Sequence, residues 1–257
     1  MAPVNRALNL GRVPRLTARI IRRLDDKKLL GQHLLLVGTN ALFCYESAAG
    51  VLLDSGLLAT GDADLLWDAR QRVALLLPEV RRSGIIDILR RTDRSFETRG
   101  PEDFRAINSK GFYIDLIRPE DRNFFNLESR STLGGGADDL RGAPIFGLRW
   151  LINAPRFEAI VIGEGGYPLR LVTPDPRAFA LHKLWISESP QRDPVKRKRD
   201  KLQAQITAQL CRTYFNLDFS TKDLRSLPEF LRKLANNLEA TEHSTASDDG
   251  AVPIPDW

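Results

Sequence analysis

The chain has 257 residues, 42% of them hydrophobic, which is enough for one large domain or two small ones with real cores. Charged residues make up 28% and sum to a net charge of +5, a balance that suits a polyanionic partner as readily as an ordinary solvated surface. No apolar run approaches bilayer-spanning length, and the opening MAPVNRALNLGRVPRL lacks an apolar signal core, so neither a membrane protein nor a secreted one is expected.

Residues 1–12 are expected to be a loose arm. Pro14–Leu30 predicts an amphipathic helix, with Leu16, Ile20, Ile21 and Leu24 on one face and Arg19, Arg22 and Arg23 off it. That basic face is the kind that touches nucleic acid, although a solvated helix face is the ordinary account. The short bounded apolar run Leu34–Val37 predicts a buried strand. It ends at Gly38-Thr39-Asn40, a tight turn that allows close backbone approach to a ligand. Backbone N–H groups at the start of the following helical segment, Ala41–Ala49, would form an anion site there. The only cysteines, Cys44 and Cys211, lack metal-ligand spacing and read as buried free thiols in a reducing, cytoplasmic compartment.

Thr60-Gly61-Asp62-Ala63-Asp64 then leads into Leu65-Leu66. Residues i and i+2 of a strand share a face, so Asp62 and Asp64 aim at one spot, where their charges repel unless a cation sits between them. Mg²⁺ suits such a pair, because it takes carboxylate oxygens together with substrate phosphates. Val80–Arg91 predicts a crossover helix, and Phe96–Thr98 and Phe104–Ile107 are short strand-like pieces. Phe112–Ile117 is a further apolar strand interrupted only by Asp115, an acid that is costly there unless paired or bound to metal. Pro119 is expected to end that strand.

Residues 120–142 are polar, with Gly134-Gly135-Gly136 in the middle, and read as a mobile loop near the site. The triplet lacks a following lysine and is no P-loop. Phe124-Phe125 is placed under that loop or, alternatively, stacked on a base. Leu148–Ile152, Phe157–Ile162 and Pro168–Val172 are three more strand candidates. After Thr173-Pro174-Asp175-Pro176 the pattern turns helical, over Arg177–Ser187, Val195–Arg212 and a stretch near Leu227–Glu239. A division into 1–172, a helical 173–240 and a disordered tail 241–257 follows from this.

The phrases VGTNALFCYESAAG, DSGLLATGDADLLWDAR, GFYIDLIRP, HKLWISE and RDPVKRKRDKLQA carry a resemblance across most of the chain, from about Val37 to Ala204. A strand, a Gly-Thr turn, an Asp-x-Asp and a lone Asp in a later strand resemble the nucleotidyltransferase superfamily related to DNA polymerase beta. Within it the phrases are similar to the uncharacterised GSU2403-type nucleotidyltransferase-fold family. The interval from Gly38 to Asp62 is longer than in minimal superfamily members, so an extra hairpin or loop is expected around Gly50–Ala59. Thr39 stands where the superfamily usually has Ser or Gly, keeping a hydroxyl and adding a methyl.

The resemblance implies an α/β (α+β) fold: a mixed sheet with flanking helices and a helical C-terminal part. It implies that Asp62, Asp64 and Asp115 are catalytic acids that hold Mg²⁺, or Mn²⁺ in its place. Gly38, Thr39 and Asn40 would hold the nucleotide's phosphates, and Lys183 resembles the helical lysine that reaches the triphosphate. Lys198 and Arg199, in the dense run 196–201, would lie near the phosphate site, with an Arg/Lys–Asp200 ion pair fixed there. Lys196 and Arg197 are left to meet an RNA backbone. His182 has no second ligand at metal spacing and reads as a structural histidine.

The function implied is Mg²⁺-dependent transfer of a nucleoside monophosphate from an NTP such as ATP to an acceptor hydroxyl. The acceptor stays open between RNA or tRNA, protein and a small molecule, and a toxin-like role is an analogy of fold alone. The alternative is a non-catalytic nucleotide- or RNA-binding module on the same fold.

Overall fold

The structure is a computed structural model that describes residues 1–69, 78–100, 103–120, 132–136, 138–219, 222–236 and 238. Phe124-Phe125 and the tail from residue 241 lie outside the described residues. The chain divides into two compact units, Met1–Pro176 and Arg177–Trp257.

In the first unit, helix α1 (Ala2–Ala7) forms where a loose arm was expected. It is anchored rather than free: Asn5 Nδ2 donates to the Gly166 carbonyl at 2.8 Å. Helix α2 (Arg15–Asp26) buries Ile20, Ile21 and Leu24 and stops short of the expected Leu30. The chain reverses there, with Lys28 at a positive φ of 57°. Strand β1 (Leu34–Val37) is buried throughout. A 3-10 turn (Gly38–Ala41) follows and runs into helix α3 (Leu42–Ala49), which Gly50 closes in the left-handed conformation. The expected insertion around Gly50–Ala59 is neither a hairpin nor a plain loop. It carries one helical turn, α4 (Ser55–Leu58), capped by Asp54, whose side chain accepts from Gly56 N.

Strand β2 (Asp62–Trp67) precedes helix α5 (Pro78–Thr92). After α5 come β3 (Glu97–Thr98), β4 (Arg105–Ile107) and β5 (Tyr113–Pro119). Strand β6 (Ala143–Ile145) and helix α6 (Leu148–Asn153) follow. Pro119 is the last residue of β5, as expected. It lies at the sheet margin in register with Ile145, where parallel β6 joins the last three residues of the strand. The stretch 148–152, expected as a strand, is α6. Its Leu148 and Leu151 are three apart and both buried, a helical spacing that a short apolar run does not distinguish from a strand.

These strands form one mixed sheet in the order β1-β2-β5-β4-β3, with β6 joined to β5. Strands β1 and β2 are antiparallel, whereas β2 and β5 are parallel, as a crossover through α5 requires. One face presents Leu34, Leu36, Ala63, Leu65, Ala106, Ile114 and Leu116, all at most 1% exposed, and forms the core. The hairpin of β7 (Arg156–Ile162) and β8 (Pro168–Pro174) is a separate two-stranded sheet. It packs on α3, where Tyr45 meets Phe157 edge-on and its hydroxyl donates to the Pro174 carbonyl at 2.8 Å.

The second unit is helical among its described residues, with α7 (Pro176–Ser187) entering it, then α8 (Pro194–Thr213) and α9 (Glu229–Lys233). Asp193 caps α8 by accepting from the N–H groups of Val195 and Lys196. Cys44 and Cys211 are buried free thiols, and burial pushes the Cys44 thiol up to about 12. Among the described residues no helix is long and apolar enough to cross a membrane.

Candidate active site

The sheet register sets the polar face. Asp64 pairs with Asp115 across β2 and β5, and Asp115 pairs in turn with Arg105 on β4. Paired residues on neighbouring strands point to the same side, so Asp64, Asp115 and Arg105 form one row across three strands. Two residues back, Asp62 pairs with Tyr113 and lies on that same side. Asp62 and Asp64 are half-buried, and Asp115 is buried. All three acids expected from the sequence thus share one face.

The turn after β1 meets the same row, because Val37 pairs with Asp64. Gly38 has φ of +65°, a conformation that favours glycine. A Cβ there would fall 2.0 Å from Asp64 Oδ2. The missing side chain is the space the carboxylate occupies. Asn40 Nδ2 donates to the Asp62 carbonyl at 2.7 Å, tying the turn to the start of β2. Asn40 Oδ1 is buried and accepts no hydrogen bond among the described residues. Thr60 Oγ1 donates a short hydrogen bond to Asp62 Oδ1. Thr39 is buried in the same turn.

The residue that sequence reasoning missed is Arg105. Its Nε donates to Asp115 Oδ1 at 2.7 Å and its Nη2 to Asp115 Oδ2 at 2.5 Å. The guanidinium also lies over the Tyr113 ring, 4.8 Å from the centroid, and near that of Phe104 at 5.4 Å. The hydrogen bonds to Asp115 raise the Arg105 pKa further above its ordinary value, against the opposing effect of burial. The signal that would have found it is a lone arginine in the short strand-like piece preceding the lone aspartate's strand.

The fit to a divalent cation divides along this row. Asp62, Asp64 and the unpaired Asn40 Oδ1 offer hard oxygen donors beside the glycine turn. Asp115 does not fit in this arrangement, because both of its oxygens accept from Arg105. Consistently, no cluster of three or more His, Cys, Asp or Glu side chains arranged for a metal occurs among the described residues.

Lys183, Lys198 and Arg199 lie in the second unit, on α7 and α8. Lys183 is buried, and its Nζ donates to Asp200 Oδ1 at 2.6 Å. Arg192 Nε donates to Asp200 Oδ2 at 2.8 Å. Burial alone would push the Asp200 carboxyl up, but Lys183 and Arg192 together hold it below the usual carboxylate range. The fixed basic–acidic pair expected within the run 196–201 therefore exists with different cations. Lys198 is exposed and Arg199 half-buried. Burial pushes the His182 imidazole down to about 3, with Lys183 adding to the effect, so it stands as a neutral ring near Trp185.

A family profile described as nucleotidyltransferase matches residues 15–227, which takes in the whole sheet, the acid row and helices α7 and α8. Searches of the curated proteins and of the solved structures give no match.

Proposed function

The chain belongs to the nucleotidyltransferase family, and from that premise we propose that it moves a nucleoside monophosphate from an NTP to an acceptor hydroxyl at the Asp62–Asp64–Asp115 row. The narrower group suggested by the sequence phrases is part of the same proposal. The observation that carries it is the register of Asp64 with Asp115 beside a glycine turn that has room for the Asp64 carboxylate and nothing larger.

In this reading Asp62 and Asp64 would hold Mg²⁺ beside the glycine turn. When bound, the ion neutralises phosphate charge and makes the acceptor hydroxyl more acidic. The Gly38-Thr39-Asn40 turn offers backbone N–H groups to the triphosphate. Asp115 orients the acceptor hydroxyl and takes its proton as the oxygen attacks the α-phosphorus and pyrophosphate departs. Arg105, with its two hydrogen bonds to the carboxylate, keeps Asp115 aimed until substrate arrives. Lys183, Lys198 and Arg199 are proposed phosphate contacts on the resemblance to the family alone.

The test incubates pure protein and Mg²⁺ with each α-labelled NTP in the presence of total RNA and of cell lysate. Covalent label in an RNA, a protein or a small molecule is expected, and Asp64→Asn should abolish it while leaving the fold intact. Full transfer by Asp64→Asn would remove that residue from the mechanism. A second reading, a nucleotide-binding module without transfer, is favoured by one observation: Arg105 already neutralises Asp115. It predicts NTP binding with no labelled product under any acceptor.

A further inference from the structure

We propose that an arginine-walled cleft beside the ends of α2 and α5 binds the phosphate backbone of a nucleic acid. The cleft has a volume of about 500 Å³ and is lined by Arg23, Asp87, Arg90, Arg91 and Arg94. Three segments supply the cations: the last turn of α2, the end of α5 and the turn that follows it. Their mutual position is fixed from beneath. Ile20 and Leu24 of α2 and Ile85 and Leu89 of α5 are buried, and Arg19 Nη2 donates to the Thr92 carbonyl at 2.6 Å.

Two of the basic side chains nearby are already committed to the protein. Arg19 is the strut just described, and Arg90 donates to the Phe96 carbonyl at 3.1 Å and to Asp138 at 2.5 Å. Arg23, Arg91 and Arg94 are different. Each is exposed, and none has an acceptor among the described residues. A helix C-terminus favours a nearby cation, which accounts for Arg23 and Arg91 singly. It does not account for Arg94, nor for three uncommitted guanidinium groups meeting over one cleft in which Asp87 is the one carboxylate among the described lining residues. Like charges gathered this way repel, and the arrangement gains only when an anion enters.

The chemistry of the lining narrows the anion. Guanidinium groups are planar forks that pair two donors with phosphate oxygens. No aromatic side chain lines the cleft among the described residues, so they offer no surface on which a base would stack. Contacts of this kind hold the sugar-phosphate chain and are indifferent to sequence. The spread of the arginines over three chain segments suits successive phosphates of a polymer. Binding here requires no turnover, so the proposal stands or falls separately from nucleotidyl transfer.

The experiment uses the full chain and fluorescence anisotropy with a labelled single-stranded RNA of about 20 nucleotides and a DNA of the same sequence, each at several salt concentrations. The variants are Arg23→Gln/Arg91→Gln/Arg94→Gln and, separately, Arg94→Glu. The triple variant is expected to bind about 10-fold or more weakly, with a salt slope smaller by about two. Its thermal unfolding without nucleic acid should be unchanged or shifted upward, because repulsion has been removed. Equal binding of RNA and DNA supports backbone recognition, as does a preference for either one that the triple variant loses. Should the triple variant misfold, Arg94→Glu alone must weaken binding, since its side chain is exposed and bonded to nothing described. Unchanged affinity and salt slope overturn the proposal. So does displacement by inorganic pyrophosphate as effective as displacement by unlabelled RNA, which would mark a small-anion site.

Discussion

Arg105 grips Asp115 with two parallel hydrogen bonds, of 2.7 and 2.5 Å, and lies over the ring of Tyr113. The pair decides how the acid row behaves. A bidentate guanidinium competes directly with any cation for the same two oxygens. Removing it leaves a buried carboxylate without its partner, at a cost of about 1–3 kcal/mol. Arg105→Ala is therefore expected to bind Mn²⁺ or Mg²⁺ more tightly than the parent while unfolding more easily. Calorimetric titration and a denaturant melt read the two effects. Cation affinity that is unchanged or weaker in Arg105→Ala would mean the two do not compete for Asp115.

Gly38→Ala tests the other end of the row. The new methyl would fall on the Asp64 carboxylate, at a backbone φ of +65° that L residues rarely adopt. The strain is about 1–3 kcal/mol. Nucleotide binding should fail with little change in α-helical circular dichroism, because the displaced group belongs to the site and not to the core. Normal NTP affinity in this variant would detach the turn from the nucleotide.

Gly84→Ala addresses stability away from the acids. Gly84 interrupts α5 at φ of +71°, and Asp139 fills the space where its side chain would be. Asp139 accepts from Ile85 N at 2.7 Å, Ile86 N at 3.2 Å and Gly134 N at 2.9 Å, acting as the N-cap of the helix's second part. Both Gly84→Ala and Asp139→Ala should destabilise the protein by about 1–3 kcal/mol. Their effects should fall well short of additive in a double variant, since each removes the same cap. Full additivity in urea melts would show the two to be independent.

Acid stability should depend on Asp200. Its carboxyl is held below the usual range by Lys183 and Arg192 against the opposing effect of burial, so its contribution is fully present above the unfolded-state value of about 4. That contribution is lost as pH falls through the lower folded value. Asp200→Asn should therefore be less stable than the parent at neutral pH, with the gap narrowing as pH falls below the unfolded-state value. A constant gap in melting temperature from pH 7 to pH 2.5 would contradict this. The same geometry shows why charge reversal at Lys183 is a poor test of nucleotide binding. Lys183→Glu would set two carboxylates together in a buried position, whereas Lys183→Met removes the ammonium without adding a like charge.

Much of the candidate site's placement on the sheet was legible because it rests on short-range pattern. Asp62 and Asp64 are two apart on a strand, and Asp115 stands alone in an apolar one, so period-two alternation places each on its face. What alternation does not carry is the partner across the sheet. Arg105 meets Asp115 through the pairing of β4 with β5, a contact that the local sequence around either residue leaves open. The helix α6 was hidden for a related reason: a five-residue apolar run fits either period, and packing chooses. The turn α4 escaped notice because one capped helical turn carries too few residues to show a period. The ion pair of Lys183 and Asp200 joins two helices and leaves no trace in the spacing of either.

The parallel pairing of β2 with β5 also bears on quality control during folding. A slip of β5 by one residue against β2 would turn Asp115 into the apolar layer and push Ile114 and Leu116 out to water. Such a chain loses the acid row and a part of its core in the same event. Molecules with a mis-paired sheet are thus marked by instability as well as by a broken acid row, and a protease or chaperone that removes loosely folded chains removes those that lack the row with them. In any preparation that has survived purification, the fraction with an intact acid row should therefore track the fraction that melts cooperatively.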